Sequence, residues 1–388
     1  MRSADQSVAN AHTSSQTVAS IQRPPASKPV QRPSGDHFRA RPRHRQGQFK
    51  GQVGRARGEA NWRQWLRTQI VGRGIQMMCG RADYVSTDAA TDIPLLSAGA
   101  RLAWLKLLGT FGIKGFVAKS GLGYDFLCHT GDLANFPFYH RTAYRSELKL
   151  CSAWLQDEDN PVVFDVGANG GFFSTHLAQM LADRAPKVFA FEPVPSTFAK
   201  LAESVERLRL EDAVYPLEVA VLENSIPALI SYSEQNSLAS QIRPQASTGK
   251  PGEKTARVTA TSLDAVSNKL GTIPKLLKID VEGSEAAVLR GARDILSRAD
   301  RPAILFEYNP VTLNECAVPL STLFALLIGY DVYYVDDLRG QKLPFGTSLP
   351  SPDKIDWICN LFAVPQSEYA RRRWRNILNQ FQTCEALR

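Results

Sequence analysis

Short apolar runs alternate with helical patterns from about residue 160 onward, and this alternation limits the fold more than any other feature of the chain. Seven runs have the length and composition of strands, among them "PVVFDVG", "KVFAFEP", "KLLKIDVEG" and "PAILFEYNP". Amphipathic segments lie between them; one carries Phe198, Leu201, Val205 and Leu208 on a single helical face. Strands that alternate with helices form parallel sheets covered on both sides. The sequence therefore predicts an α/β fold with a doubly wound, mostly parallel seven-stranded sheet.

Two segments of this pattern carry finer predictions. The segment "SEAAVLRGARDILSRA" predicts one helix, with Ser284 as its cap. Between the third and fourth strands, "ALISYSE" and "ARVTATSL" flank a long polar loop, which predicts a hairpin-like insertion.

Residues 1–76 are expected to form a disordered basic tail. They contain 14 Lys and Arg residues but only three acidic residues, so they carry a net charge of +11, whereas the whole chain carries +8. The tail is poor in aliphatic residues and cannot bury enough surface to offset the entropy lost on ordering. A nucleic-acid-binding arm is the alternative, but no aromatic pattern accompanies the arginines.

Two parts are expected in the remaining chain: a largely helical N-terminal cap over residues 77–160, and the domain of the doubly wound sheet over residues 161–388. The six cysteines are scattered and include no CxxC motif, so neither a structural zinc site nor a disulfide framework is indicated. No apolar run approaches the roughly 18 residues that a bilayer span needs. The N-terminus also lacks the apolar core of a signal peptide. A cytoplasmic protein is therefore the expectation.

The first strand of the predicted sheet ends in "FDVGANGG", residues 164–171. Ligands of doubly wound sheets bind at the carboxyl ends of strands, and glycines allow the backbone to approach them closely. The motif is not GxGxxG, because Asn169 stands at the second glycine position and Asp165 precedes Gly167. A carboxylate there opposes a pyrophosphate but suits the ammonium and sulfonium of S-adenosylmethionine. A purely structural strand-to-helix turn is the alternative interpretation. The candidate cofactor-binding residues of this motif are Asp165, Gly167, Asn169, Gly170 and Gly171.

The second strand ends in Glu192, 27 residues after Asp165. One carboxylate can accept hydrogen bonds from both hydroxyls of a ribose, and an acidic residue at this position serves that purpose in adenosyl sites. Glu192 therefore joins the candidate cofactor site.

The fourth strand ends in "LLKIDVEGSE", residues 276–285, which is unusually rich in charge. Lys278 and Asp280 alternate with apolar residues, so they share one face of the strand and can open into the cleft. Glu282 and Glu285 have two interpretations: they belong to the site chemistry, or they stabilise the first turn of the helix that follows.

Together these segments resemble the FkbM-type S-adenosylmethionine-dependent methyltransferases. The resemblance rests on "VVFDVGANGGFFSTHLA", "VFAFEPVPSTFAKL", "NSLASQI", "TSLDAV", "LLKIDVEGSEAAVLRGA", "RPAILFEYNP" and "NLFAVP", in this order. It implies a class I, Rossmann-like methyltransferase that acts mostly on hydroxyl oxygens, often of sugars or small natural products. Its motifs carry over to this chain at Asp165, Gly167, Asn169, Gly171, Glu192, Lys278, Asp280, Glu282, Gly283 and Glu285.

Methyl transfer to a hydroxyl favours a residue that positions or deprotonates the acceptor. We expect Asp280 in this role, with Glu282 and Lys278 as neighbours that tune it. Asp280 and Glu307 could together hold a divalent ion, but no His joins them, so a metal-free site is expected. The loop over residues 234–254 is a candidate lid or substrate element. Its polar residues of interest are Asn236, Ser237 and Ser240.

Two rival enzyme classes remain at this point. A nicotinamide-dependent oxidoreductase is disfavoured by the absent GxGxxG motif. A nucleic-acid methyltransferase would draw on the basic tail, but "DVEG" stands where a (D/N)PP(Y/F) motif is usual in base amino-group methylation. The expected partner is a small molecule or a glycan, and the sequence does not set the oligomeric state.

Overall fold

The computed structural model describes residues 84–86, 106–130, 132, 145–232, 241–243, 254–336, 343–349 and 355–385. The predicted tail over residues 1–76 lies outside these ranges, as do Asn236, Ser237 and Ser240 of the candidate lid. The disorder predicted for the tail and the lid role predicted for these three residues stay predictions. Among the described residues, no helix combines the length and the apolar character that crossing a membrane requires.

From residue 162 onward, the strands of the main sheet follow the order predicted from the sequence, whereas the strands before residue 130 were not predicted. The strands are β1 (Tyr84–Ser86), β2 (Gly115–Lys119), β3 (Asp125–His129), β4 (Val162–Val166), β5 (Lys187–Phe191), β6 (Val214–Leu217), β7 (Ala220–Val221), β8 (Ala228–Tyr232), β9 (Gln241–Arg243), β10 (Lys254–Val258), β11 (Ala260–Thr261), β12 (Leu276–Ile279), β13 (Ala303–Tyr308), β14 (Tyr330–Tyr334), β15 (Thr347–Ser348) and β16 (Cys359–Pro365). The helices are α1 (Arg145–Leu155), α2 (Phe172–Met180), α3 (Pro195–Leu208), α4 (Leu263–Leu270), α5 (Glu285–Arg290), α6 (Arg293–Ser297), α7 (Pro310–Glu315), α8 (Leu320–Leu326) and α9 (Glu368–Glu385), with a 3-10 turn at Ala182–Arg184.

The main sheet has the strand order β15-β14-β16-β13-β12-β4-β5-β6. The five strands from β13 to β6 are parallel, whereas β16 is antiparallel to both β13 and β14. This arrangement confirms the predicted doubly wound, mostly parallel sheet. The eighth strand, β15, is a two-residue addition at one edge.

Helices cover both faces of the sheet, because successive strand residues point to opposite sides. On β4, Val163 belongs to the core formed with α1, α2, α3 and α9, whereas Phe164 belongs to the core formed with α4 to α8. On β12, Leu276 and Leu277 divide between the two cores in the same way. All four side chains are fully buried. Strands buried on both faces explain why the sequence shows continuous apolar runs.

The chain passes outward from β4 to β5 and β6, and then crosses back to place β12 on the other side of β4. The direction of the strand order therefore changes between β4 and β12. In open α/β sheets the ligand crevice forms at this point, outside the carboxyl ends of the strands. The residues that follow β4, β5 and β12 are the ones that such a crevice brings together.

The insertion between β6 and β12 contains the predicted antiparallel pair, β8 with β10, and β9 extends it to three strands. The prediction of a single helix over "SEAAVLRGARDILSRA" is wrong, because this segment forms two separate helices, α5 and α6. Gly291 lies between them, and a Cβ atom there would be 2.1 Å from the carbonyl oxygen of Leu222. This close approach of two backbone segments interrupts the helix.

Within residues 77–160 the described part is not helical throughout. Strands β1, β2 and β3 form a three-stranded sheet, in which β2 and β3 are an antiparallel hairpin. Helix α1 follows, and six of its 11 residues are buried against the main domain's core. The apolar residues before Gly112 have helical spacing, and the helical prediction extends from them over the strands that follow Gly112. The boundary drawn at residue 160 stays a prediction.

Candidate functional site

A cleft lies at the carboxyl ends of β4, β5 and β12, at the change in strand order. Its polar lining includes the glycine loop after β4, Glu192 after β5, and Lys278 and Asp280 at the end of β12. Its apolar lining includes Phe126, Leu127, Val166, Phe172, Phe173, Phe191, Val219, Ala220, Val221, Ile230, Ile242 and Val281. A largely apolar cleft with a few convergent polar groups is typical of a small-molecule site.

The glycine loop passes directly against the end of β12. Gly167 has a φ of +78°, and a Cβ atom there would lie 1.8 Å from the carbonyl oxygen of Asp280. Glycine is therefore required both by the backbone conformation and by the contact. The amide of Gly167 donates to the carbonyl of Phe191 over 3.0 Å, which also ties the loop to β5. The loop is consequently fixed by both neighbouring strands.

Asp165 lies beneath this loop and is fully buried, and its side chain is not part of the cleft lining. Its carboxylate accepts a 2.5 Å hydrogen bond from the Ser174 hydroxyl and lies 3.2 Å from the ammonium of Lys278. The sequence predicted Asp165 among the cofactor-binding residues. Its position supports an indirect role, in which it holds the residues that surround the cleft.

Glu192 lines the cleft and is 6% exposed. One carboxylate oxygen accepts from the amide of Asn169 at 3.0 Å, and the other accepts from the amide of Val194 at 2.9 Å. Burial raises the pKa of Glu192 to about 7, although these two amides and the charge of Lys278 act in the opposite direction. Glu192 thus stabilises the glycine loop and is also part of the cleft lining.

Lys278 is 4% exposed and connects the two central strand ends. Its ammonium donates to the carbonyl of Gly167 at 2.9 Å and lies 3.3 Å from the carboxylate of Asp280. Burial alone would lower the pKa of Lys278, but the carboxylates of Asp165 and Asp280 outweigh it and raise that pKa. Lys278 is therefore a buried cation that contacts both neighbouring strand ends.

Asp280 lies at the rim of the cleft, with a side chain 18% exposed. Its backbone amide donates to the carbonyl of Val166 at 3.0 Å, which continues the pairing of β12 with β4. The carboxylate is held on one side by Lys278 and faces the cleft on the other. A carboxylate in this setting can orient a hydroxyl group or accept its proton.

Two further acidic residues, Glu282 and Glu285, lie in and next to the turn after Asp280. Glu282 lines the cleft in a left-handed conformation with a φ of 49°, and its carboxylate accepts a 3.4 Å hydrogen bond from the amide group of Asn309. Glu285, in the first turn of α5, is 1% exposed and accepts from the amide of Gly283 at 3.1 Å. Burial raises the pKa of Glu285 to about 7. Glu282 thus lines the cleft and Glu285 contacts the turn, and their roles in the site chemistry stay predictions.

Three carboxylates come together next to the end of β12. One oxygen each from Asp280, Glu282 and Glu307 lies within 4.8 Å of the others. Carboxylate oxygens are the ligands that Mg²⁺ and Ca²⁺ prefer, so this group could hold a divalent ion. The sequence paired Asp280 with Glu307 but did not include Glu282, which reaches them through its left-handed turn. The expectation that the site works without a metal stays a prediction.

The apolar walls of the cleft were not predicted from the sequence. Phe126 and Leu127 come from the hairpin before the main sheet, whereas Ile230 and Ile242 come from the inserted sheet. From the sequence alone, apolar residues in strands are expected to belong to the core. No local pattern distinguishes those that face a cleft from those that fill a core.

Comparison with known proteins agrees with the family resemblance. Residues 165–331 match the family model described as the methyltransferase FkbM domain. The hexuronic acid methyltransferase AglP of Haloferax volcanii is 33% identical over 155 residues. That alignment covers 39% of this chain and 59% of AglP, so the chain spans less than two thirds of this relative.

Solved structures resemble the chain only in part. A methyltransferase FkbM from Methylobacillus flagellatus KT is 17% identical with a TM-score of 0.34, covering 53% of this chain and 44% of that protein. The METTL16 methyltransferase domain is 12% identical with a TM-score of 0.38, covering 79% of this chain and 92% of that domain.

Proposed function

We propose that this chain, whose residues 165–331 match the methyltransferase FkbM family model, is an S-adenosylmethionine-dependent O-methyltransferase. The observation that carries the proposal is the convergence of the glycine loop, Glu192 and the Lys278–Asp280 pair on one cleft. A hydroxyl of a sugar, a glycan or a small natural product is the proposed acceptor. The name of the relative AglP, a hexuronic acid methyltransferase, supports a saccharide.

The residues present fit S-adenosylmethionine. Glu192 would accept hydrogen bonds from the ribose hydroxyls, since its carboxylate faces the cleft and is fixed by two backbone amides. The glycine loop would hold the amino-acid end, and the apolar segment Val219–Val221 would contact the adenine. When bound, S-adenosylmethionine supplies an electrophilic methyl group on a sulfonium.

Asp280 would act on the acceptor. Its carboxylate orients the acceptor hydroxyl and takes its proton as the oxygen becomes methylated, which contributes roughly 10²–10⁴-fold in rate. Lys278 holds that carboxylate in place, 3.3 Å away. Orientation of the two reactants in the cleft can supply a further 7–11 kcal/mol, an order-of-magnitude figure for well-aligned reactions.

Labelled methyl transfer into metabolites and glycans tests this proposal. We expect Asp280→Asn to bind S-adenosylmethionine as the wild type does but to transfer methyl groups about 10²-fold more slowly or worse. Asp212→Asn, which changes an exposed carboxylate outside the cleft, is the matched control and should transfer normally. A fully active Asp280→Asn variant would remove Asp280 from the chemistry. Transfer into RNA in place of saccharides would favour a nucleic-acid methyltransferase.

A further inference from the structure

The hairpin of β2 and β3 lies before residues 165–331, the segment that matches the methyltransferase family model, yet it reaches the cleft. Phe126 and Leu127 on β3 both line the cleft, and they are only 2% and 4% exposed. A segment outside the matched domain therefore forms part of the wall of the proposed cofactor site.

The hairpin is fixed to the helices that follow β4 and β5. The side chain of Gln179 on α2 donates to the carbonyl of Asp125 at 2.8 Å and accepts from its amide at 3.2 Å. This double hydrogen bond occupies both backbone groups of the residue next to Phe126. Lys200 on α3 forms an ion pair with Asp132, which is 3% exposed. These contacts hold Asp125 and Asp132 against α2 and α3.

Phe126 forms an aromatic wall with the first residue of α2. The rings of Phe126 and Phe172 meet edge to face, with 5.4 Å between their centroids. Phe172 directly follows Gly171, so this wall borders the glycine loop, and Gly170 and Thr175 also line the cleft. Aromatic rings attract cations, including quaternary ammonium groups of ligands, by their negative faces.

We propose that Phe126 is a specificity-determining residue, which together with Phe172 forms the wall against which the amino-acid end of S-adenosylmethionine binds. This inference rests on the proposed function, since it takes the glycine loop to hold that end of the ligand. The amino-acid end carries an ammonium group and a carboxylate on a carbon that two methylene groups join to the sulfonium. An aromatic wall favours this end by apolar contact with the methylene groups and by attraction of the ammonium. The hairpin is then a part of the enzyme's binding machinery that the family match does not include.

Calorimetric titration of the full chain with two ligands tests the proposal. S-adenosylhomocysteine has the amino-acid end, whereas 5′-methylthioadenosine has the same adenosine and thioether without it. We expect Phe126→Ala to weaken the affinity for S-adenosylhomocysteine about tenfold and to leave that for 5′-methylthioadenosine unchanged. Phe116→Ala is the matched control, because Phe116 is a buried phenylalanine of the paired strand that does not line the cleft. It should change neither affinity.

Equal weakening of both ligands by Phe126→Ala, or no weakening of S-adenosylhomocysteine, overturns the proposal. A wild-type protein that binds neither ligand contradicts the proposed function instead, so the two failures are distinguishable. Thermal unfolding of each variant shows whether it is folded. If Phe126→Ala is not, Phe126→Leu keeps most of the apolar volume without the ring, and wild-type selectivity in that variant overturns the proposal.

Discussion

Replacing Lys278 by Met should reveal how strongly the two central strand ends depend on one buried cation. The Lys278 side chain is 5% exposed, and it lies between Asp165, which is fully buried, and Asp280, which is 18% exposed. Removing the ammonium leaves two carboxylates close together, one of them without access to water. Breaking a buried ion pair from one side typically costs about 3–5 kcal/mol in the free energy of unfolding. We expect Lys278→Met to lose that amount in urea unfolding at pH 7.5.

Lys275→Met is the matched control on the same segment. The ammonium of Lys275 lies 3.5 Å from the carboxylate of Glu158, but its side chain is 46% exposed. Exposed ion pairs contribute about 0–1 kcal/mol, so this variant should unfold almost as the wild type does. Adding Asp165→Asn to Lys278→Met should recover part of the loss, because the buried charge is removed. The reasoning is refuted if Lys278→Met costs no more than Lys275→Met, or if Asp165→Asn deepens the loss.

Three further predictions concern acidic residues in or near the cleft. Because Glu192 has a pKa of about 7 and would bind ribose hydroxyls as a carboxylate, calorimetric affinity for S-adenosylmethionine should fall by up to about tenfold per pH unit below pH 7. An affinity that stays constant between about pH 5.5 and about pH 8 would contradict this role. The pKa of Glu285 is raised from 4.5 to about 7, so the folded protein binds more protons than the unfolded chain between these values and loses stability as pH rises. Glu285→Gln should therefore be more stable than the wild type at pH 8, by up to about 3 kcal/mol, and should lose this advantage near pH 5; equal unfolding curves at pH 8 would refute it. Finally, the expected metal-free reaction predicts methyl transfer that EDTA does not inhibit, whereas inhibition reversed by Mg²⁺ would assign a metal to Asp280, Glu282 and Glu307.

The sheet and its ligand crevice could be predicted because they follow from local sequence. Strands buried on both faces appear as apolar runs, and their carboxyl ends are marked by glycines and by acids such as Glu192 and Asp280. The change in strand order between β4 and β12 then brings those ends together. The contact between Gly167 and the carbonyl of Asp280 is the direct result.

Other features depend on contacts between distant segments, which a single sequence does not record. The side chain of Asp165 turned out to lie below the loop, because Ser174 and Lys278 hold it there. The break at Gly291 depends on Leu222, about seventy residues earlier in the chain. Phe126 lines the cleft through contacts of its segment with distant helices, such as the hydrogen bonds of Gln179 on α2 to the backbone of Asp125.

Calorimetric titration of the full chain with S-adenosylmethionine tests the central claim most directly. The wild type should bind this ligand and not NAD⁺, and Glu192→Ala should weaken its binding at least tenfold, about 1.4 kcal/mol. Glu206→Ala, which removes an exposed acid from α3, should bind as the wild type does. Unchanged affinity in Glu192→Ala, or binding of NAD⁺ in preference to S-adenosylmethionine, would contradict the assignment of this cleft.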